Sequence, residues 1–300
     1  MNTAYSSIAA EYTTWLDTLG FSDGVVYDYK YRVRDFFEWL QTQGISQITA
    51  LHQKHIATYF TYLEHRPNKR KEGACLSVSH LNHNFLAIDK LLEFLHQHGM
   101  KSAPIPTGHR IKPDHGERIN KIEVLTQSEI TTLYNAIENT YPKLDYISRE
   151  AKHYQLKLIF TLYYACGLRR SEGHRVKLQD IDFEKRTVFV EQGKGYKDRI
   201  VPMSARTYQA LQDYIYNFRT LLKLPHKRLF IHDSGTLYNS LKHLQTVCED
   251  EAIKAKRITL HTLRHSIATH LLQNGMEIEN IALFLGHSSL ESTQIYTHLV

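Results

Sequence analysis

The sequence predicts a mainly α protein with a small β-hairpin or sheet, divided into two domains. Apolar residues recur at helical spacing through most of the first hundred residues and again from Ser204 onward. One interval, residues 187–203, instead carries two short β-prone runs on either side of a glycine-rich tip. A basic stretch interrupted by prolines and glycines separates the helical first part from the remainder.

The first part, residues 1–103, reads as four helices. One is expected over Ser6 to Leu19. A second carries Val25, Val26, Tyr29, Val33, Phe36, Phe37 and Leu40 on one face, with Ser22 placed to cap its start and Gly44 to stop it. Ile56, Tyr59, Phe60 and Leu63 form a shorter stripe. Val78, Leu81, Phe85, Ile88, Leu91, Leu92 and Leu95 form the last, entered at Ser77 and closed at Gly99. Between the third and fourth helices runs a basic loop, Arg66-Pro67-Asn68-Lys69-Arg70-Lys71, which is either a solvated loop or an edge that meets phosphates. Residues 104–121 hold Pro104, Pro106, Pro113, Gly108 and Gly116 among Arg110, Lys112, Arg118 and Lys121. Such a composition cannot continue a helix and is expected to form an extended basic linker.

The second part, residues 122–300, opens on Thr126-Gln127-Ser128-Glu129, a capping box that leads into Ile130, Leu133 and Ile137. A further helix is expected to end at Cys166, with Gly167 as its terminator. Thr187 to Glu191 and Asp198 to Met203 then flank Gly193-Lys194-Gly195-Tyr196-Lys197 as a hairpin with a basic tip.

Composition narrows the function classes. With 42% hydrophobic and 23% charged residues the chain can build cores, so disorder over most of its length is excluded. No run approaches the roughly 20 apolar residues of a membrane span, and the start has no basic segment leading into an apolar one, so neither membrane insertion nor a secretory leader is expected. Cys75, Cys166 and Cys248 are odd in number and far apart, which fits no disulfide framework and no thiolate metal site; a reducing cytoplasm is the expected compartment. Lys and Arg number 37 against 31 Asp and Glu, an excess too small to identify an acidic partner by itself.

Four features of the second part carry chemistry. They are Gly167-Leu168-Arg169-Arg170-Ser171-Glu172, the hairpin tip, His261-Thr262-Leu263-Arg264-His265, and Leu285-Gly286-His287 followed by Tyr296. Singly, each has a structural explanation: a surface charge, a turn, a helix-face pair, a packed tyrosine. Together they supply the parts of a metal-free phosphodiester cleavage. Two guanidiniums match phosphate geometry and remain charged. Histidines can donate to the phosphate or take a phenol proton, a lysine can protonate a leaving oxygen, and a tyrosine can attack phosphorus. A zinc hydrolase competes through His261 and His265, spaced i, i+4, but that pair encloses no glutamate base and has Arg264 between its members.

In order and spacing these motifs resemble those of the tyrosine recombinase (phage integrase) family, over residues from about Thr126 to Tyr296. The helical first part is similar to that family's core-binding, SAM-like domain, and the two-domain layout to its Xer branch. The resemblance implies Arg169 as the first catalytic arginine with Glu172 as its support, Lys194 as the acid for the 5′ oxygen, and His261, Arg264 and His287 on the phosphate. Tyr296 would be the nucleophile. Arg170 stands beside Arg169, and Lys197 near Lys194; the family register selects Arg169 and Lys194. Where the family places two apolar residues after the glutamate, this chain has Gly173 and His174.

The implied activity is cleavage and rejoining of DNA strands through a 3′-phosphotyrosyl bond, with no metal, ATP or other cofactor. The implied partners are double-stranded DNA with paired recombination sites and a homotetramer, or a heterotetramer with a related recombinase. Arg66, Lys69, Arg70, Lys71, Lys112 and Lys197 are the expected DNA-backbone contacts. A DNA-binding regulator without catalysis and a type IB topoisomerase-like strand transferase are the alternatives on the same fold. With helices expected to begin almost at residue 5, an additional arm-site domain is not expected. Val300 follows Tyr296 by four residues, where related enzymes carry a tail that docks on a neighbour; either the chain is truncated, and is then expected to cleave more readily than it assembles, or it uses another assembly contact.

Overall fold

The protein is described by a computed structural model over residues 1–68, 73–112, 122–191, 198–287 and 290–298. The chain folds as two units, Met1–His115 and Gly116–Val300.

The first unit is built on four helices: α1 (Thr3–Thr18), α2 (Asp23–Thr42), α3 (Gln53–His65) and α4 (Val78–Gln97). α1 starts three residues earlier than expected because the Asn2 side chain accepts the Tyr5 amide at 2.8 Å and caps it. Tyr5 stacks on Phe37 at 4.4 Å between ring centroids, which holds α1 to α2. The Tyr12 hydroxyl crosses the core to donate to Ala87 O of α4 at 3.2 Å, so this large aromatic is buried with its polar end satisfied. Ser77 caps α4 as expected, accepting from His80 N at 3.3 Å, whereas Ser22 stands at the start of α2 without a side-chain cap bond. The basic loop after α3 is closed at its foot by a bridge between Pro67 and Cys75. Arg66 lies at that foot, and Lys69, Arg70 and Lys71 lie outside the described residues.

Residues 104–112, expected as the first half of a free linker, are instead docked along α4. Asp89, 4% exposed, accepts hydrogen bonds from Thr107 N, Thr107 Oγ1, Gly108 N and Arg110 Nη1 at 2.7, 3.1, 3.1 and 3.0 Å. Asn82 pairs with both backbone groups of Ile111 at 2.8 Å. A proline-bearing segment has few backbone partners of its own, and these two side chains of α4 supply them. Lys112 is exposed at the end of this strap.

The second unit places a small sheet among helices. Its helices are α5 (Gln127–Asn135), α6 (Tyr146–Ile159), α7 (Arg170–Arg175), α8 (Ala205–Gln212), α9 (Ser234–Val247), α10 (Glu251–Ala255), α11 (Leu260–Gln273), α12 (Ile278–Leu285) and α13 (Glu291–Gln294). Thr126 and Glu129 form the expected capping box of α5, exchanging bonds of 2.8 and 3.1 Å. The sheet is antiparallel in the order β1 (Ile181–Asp182), β2 (Thr187–Val190), β3 (Arg199–Pro202). β1, two residues long, is absent from the sequence expectation. β2 and β3 pair Val188 with Val201 and Val190 with Arg199, which sets these four residues on one face of the pleat. The tip of this hairpin, with Lys194 and Lys197, lies outside the described residues. No helix among the described residues is long and apolar enough to cross a membrane.

α6 does not end as a simple α-helix. It widens into a π-helical turn over Phe160–Ala165 and stops at Gly167, whose φ is +60°. A Cβ at Gly167 would lie 2.8 Å from Leu285 Cδ2 and 2.9 Å from Phe284 Cε1, so both backbone angle and packing require glycine there.

Asp89→Ala should release the strap, since four hydrogen bonds converge on one buried carboxylate. A loss of about 2 kcal/mol corresponds to roughly thirtyfold more frequent opening. Limited trypsin digestion after Arg110 should accelerate accordingly; an unchanged rate would show that Asp89 does not hold this segment.

Candidate active site

The site is assembled on the C-terminal end of α12. The last carbonyls of a helix have no partners within it and carry the negative end of its dipole. Here three of them in succession receive guanidiniums. Phe284 O accepts from Arg199 Nε at 3.1 Å, Leu285 O from Arg264 Nη2 at 2.9 Å, and Gly286 O from Arg169 Nη2 at 2.7 Å. Gly286 closes α12 in the left-handed conformation, φ +67°, which turns the chain toward His287.

Each arginine arrives from a different element. Arg169 stands at the cap position of α7, following the turn that Gly167 makes possible. Arg264 lies on α11, one face of which carries His261, Arg264 and His265 while Leu260 and Leu263 enter the core. Arg264 also donates to Gly167 O, linking α11 to the end of the π turn. Arg199 comes from β3.

One carboxylate serves all three. Glu172, 4% exposed, accepts from Arg169 N and Nη1 at 2.8 and 2.6 Å and from Arg199 Nη2 at 2.9 Å, with Arg264 Nη1 at 3.8 Å. Burial alone would push its pKa up, but the hydrogen bonds from Arg199 and Arg169 more than offset this and hold it at about 2. Arg264 is pulled down to about 10 by burial and by Arg169, which leaves it charged at neutral pH. The departure at Gly173 finds its reason here: a Cβ at that position would meet Tyr163 Cε1 at 2.6 Å. The Tyr163 ring fills the space and its hydroxyl donates to Arg170 O at 3.2 Å.

Tyr296 is in a 3₁₀ turn, Ile295–His298, and is 2% exposed among Ala268, Ile281 and Leu285. Burial raises its phenol pKa, while Arg264 and Arg169 pull it down. Its hydroxyl lies 3.0 Å from Nδ1 of His265. His287 Nδ1 is 2.7 Å from the hydroxyl of Thr293, itself fully buried, and the His287 and Tyr296 rings lie 6.4 Å apart. His287 and His265 are each held at about 4, by burial first and then by neighbouring cations or histidines, and are therefore neutral at pH 7. Partial burial, Arg264, Arg170 and Arg169 likewise lower His261.

An open cleft of about 540 Å³ runs past α11, lined in part by Arg170, Arg257, His261 and His265. Arg170 donates to Ser234 Oγ at 3.0 Å, whereas its neighbour Arg169 is bonded to Glu172 and Gly286 O. Among the described residues, no group of three or more His, Cys, Asp or Glu side chains is placed to hold a metal ion.

Of the residues singled out in the sequence, Arg169, Glu172, His261, Arg264, His287 and Tyr296 are brought together in this unit. Arg66 and Lys112 belong to the first unit. Two contributors lie outside the sequence expectation, Arg199 and His265. The strand alternation of Arg199, Ile200 and Val201 carries the signal for the first, since it turns Arg199 inward with Val201 while Ile200 is 66% exposed. His265 follows His261 by one helical turn, a spacing that on sequence alone suggests only a zinc ligand.

Replacing Glu172 by Gln would leave three guanidiniums facing each other and should destabilise the protein by about 3–5 kcal/mol at neutral pH. The Glu172 carboxylate has a depressed pKa, so its stabilisation is complete above about 4.5 and is lost as pH falls through about 2. Urea midpoints of the two proteins should thus converge as pH falls through that window. A difference that stays constant down to pH 2 would contradict the pairing.

A model of the phage integrase family matches residues 123–300. Tyrosine recombinase XerC of Halalkalibacterium halodurans is 30% identical over 287 residues, covering 93% of this chain and 88% of that protein. Tyrosine recombinase XerD of Bifidobacterium longum is 29% identical over 295 residues with the same coverage, 93% and 88%. Among solved structures, XerH site-specific recombinase bound to palindromic difH substrate in a post-cleavage complex superposes with a TM-score of 0.68 at 19% identity, covering 91% of this chain and 76% of that one. A lambda integrase dimer bound to a COC' core site gives 0.64 at 16% identity, covering 97% and 76%. At such identities the structural likeness speaks for the fold, and the family rests on the sequence matches. With Arg169, Arg199 and Arg264 on one helix end and Tyr296 beside His265, the chain belongs to the phage integrase family and is a tyrosine recombinase of the Xer type.

Proposed function

We propose that this site-specific recombinase acts on double-stranded DNA with paired recombination sites, using Tyr296 to form a 3′-phosphotyrosyl intermediate. The observation that carries the reading is the convergence of Arg169 and Arg264 on one carboxylate and one helix end, with Tyr296, 127 residues from Arg169 in sequence, packed on Ile281 and Leu285 of that helix within reach of both charges. A phosphodiester entering this site meets positive charge already in place, so little reorganisation accompanies the build-up of charge on phosphorus.

In the proposed sequence, Arg169, Arg264, His261 and His287 bind the non-bridging oxygens. Tyr296 Oη attacks phosphorus and the 5′ oxygen leaves, taking a proton from Lys194. The 5′-hydroxyl of a partner strand then attacks the phosphotyrosine and restores the diester, so bond energy is conserved and no ATP is spent. Arg66, Lys69, Arg70, Lys71, Lys112 and Lys197 contact the DNA backbone, with an affinity that falls as salt rises. The XerH and lambda integrase structures named above are DNA complexes, which supports a DNA partner here. Exchange between two sites calls for four protomers, a homotetramer or a heterotetramer with a related recombinase. Residues 104–121 then join a DNA-binding helical domain, residues 1–103, to the catalytic one, residues 122–300, and the outcome is integration, excision, inversion or dimer resolution in the cytoplasm.

The test uses labelled duplexes from the sequence flanking the gene, nicked so that the cleaved strand diffuses away. A denaturant-resistant adduct should form in EDTA, joined to the 3′ phosphate, and should vanish in Tyr296→Phe. Arg169→Ala and Arg264→Ala should slow single-turnover cleavage by about 10²–10³-fold while DNA affinity changes much less. Adduct formation by Tyr296→Phe would remove Tyr296 as nucleophile, and equal losses of binding and cleavage would reduce the arginines to phosphate anchors.

A further inference from the structure

The phenol of Tyr296 is buried and its pKa is raised, so it enters the reaction as a neutral hydroxyl that must lose a proton as it attacks. The surrounding side chains differ in their ability to accept that proton. Both oxygens of Glu172 are occupied by arginine donors. His287 has its Nδ1 engaged with Thr293. The guanidiniums carry no acceptor. His265 Nδ1, in contrast, is within hydrogen-bond distance of the hydroxyl itself, at 3.0 Å, and the His265 side chain also lines the open cleft.

We propose that His265 is the group that takes the phenol proton from Tyr296 during strand cleavage and returns it during rejoining. The inference rests on the assignment of Tyr296 as nucleophile. With its hydrogen on Nε2, the neutral imidazole accepts at Nδ1 from the phenol O–H. As the Oη–P bond forms, the O–H bond breaks and the proton passes to Nδ1. The P–O5′ bond breaks with its electron pair on the 5′ oxygen, which is protonated by the general acid. Rejoining reverses each step: the 5′-hydroxyl attacks as its proton returns to the deprotonated general acid, the P–Oη bond breaks with its electron pair on the phenolate, and the His265 imidazolium protonates it.

The electrostatics suit this cycle. His265 faces His261 and Arg264 of its own helix, Tyr296 of the terminal turn and His287 beyond the end of α12. With burial, the cationic surroundings keep it unprotonated and ready to accept in the free protein. The negative charge of a bound phosphodiester opposes those cations and raises the imidazole's basicity when the reaction needs it.

Three forms distinguish a base from a residue that only positions the tyrosine: wild type, His265→Ala and His265→Asn. The asparagine amide oxygen can accept the phenol hydrogen bond in place of Nδ1 but cannot take the proton. Single-turnover cleavage of the nicked duplex should fall by about 10²-fold or more in both variants, with DNA affinity measured alongside and unchanged. Rejoining of isolated adduct to a 5′-hydroxyl oligonucleotide should slow in parallel. Site-specific 3,5-difluorotyrosine at position 296, a more acidic phenol, should restore most of both rates in the variants. Full activity of His265→Asn would overturn the assignment in favour of positioning. So would a defect that difluorotyrosine leaves untouched. Absence of any adduct with wild type would instead overturn the nucleophile assignment, and this inference with it.

Discussion

Three guanidiniums on the last turn of α12, balanced by the buried carboxylate of Glu172, are the interaction on which the catalytic unit depends. Like charges at this proximity repel, and burial first and then Arg169 lower the pKa of Arg264. The helix carbonyls and Glu172 contain it, and among the described residues three guanidiniums share this one buried carboxylate. Positive charge gathered in this way does not by itself favour folding. It is what a phosphodiester, and still more its pentavalent transition state, would neutralise.

The rest of the unit is arranged to bring these side chains to that helix end. The π turn and the left-handed Gly167 aim the chain so that Arg169 follows at once and the Gly167 carbonyl meets Arg264. Tyr163 and Gly173 are matched in size, one ring filling the space where a Cβ would stand. The pleat of β3 sends Arg199 inward beneath an exposed Ile200. A larger residue at either glycine would move a guanidinium, not just loosen packing, which connects local backbone geometry directly to the charge at the site.

Much of this is legible in the sequence because the fold repeats simple signals. Apolar spacing locates α2 and α4, the Thr126 capping box locates α5, and Gly167 marks a helix end. The paired arginine motifs point to phosphate chemistry without any geometry. What the sequence does not disclose has physical reasons. The 104–112 segment has a linker's composition, and only the buried Asp89, over fifteen residues away in sequence, reveals that it is docked. Arg199 needs strand register to be seen as buried. His265 looks like half of a metal site because helical spacing reports which face a residue shares, not what lies opposite; Tyr296 lies opposite.

The proposed role of Arg264 and its companions is to act on charge that develops at phosphorus. The most direct measurement compares wild type with Arg264→Ala on two nicked duplexes, one with a normal scissile phosphate and one with a neutral methylphosphonate there. If the guanidinium neutralises a non-bridging oxygen, the variant's cleavage defect should be large on the phosphate and nearly absent on the methylphosphonate. An equal defect on both substrates would contradict the account and return Arg264 to a purely structural place between Gly167 and Leu285.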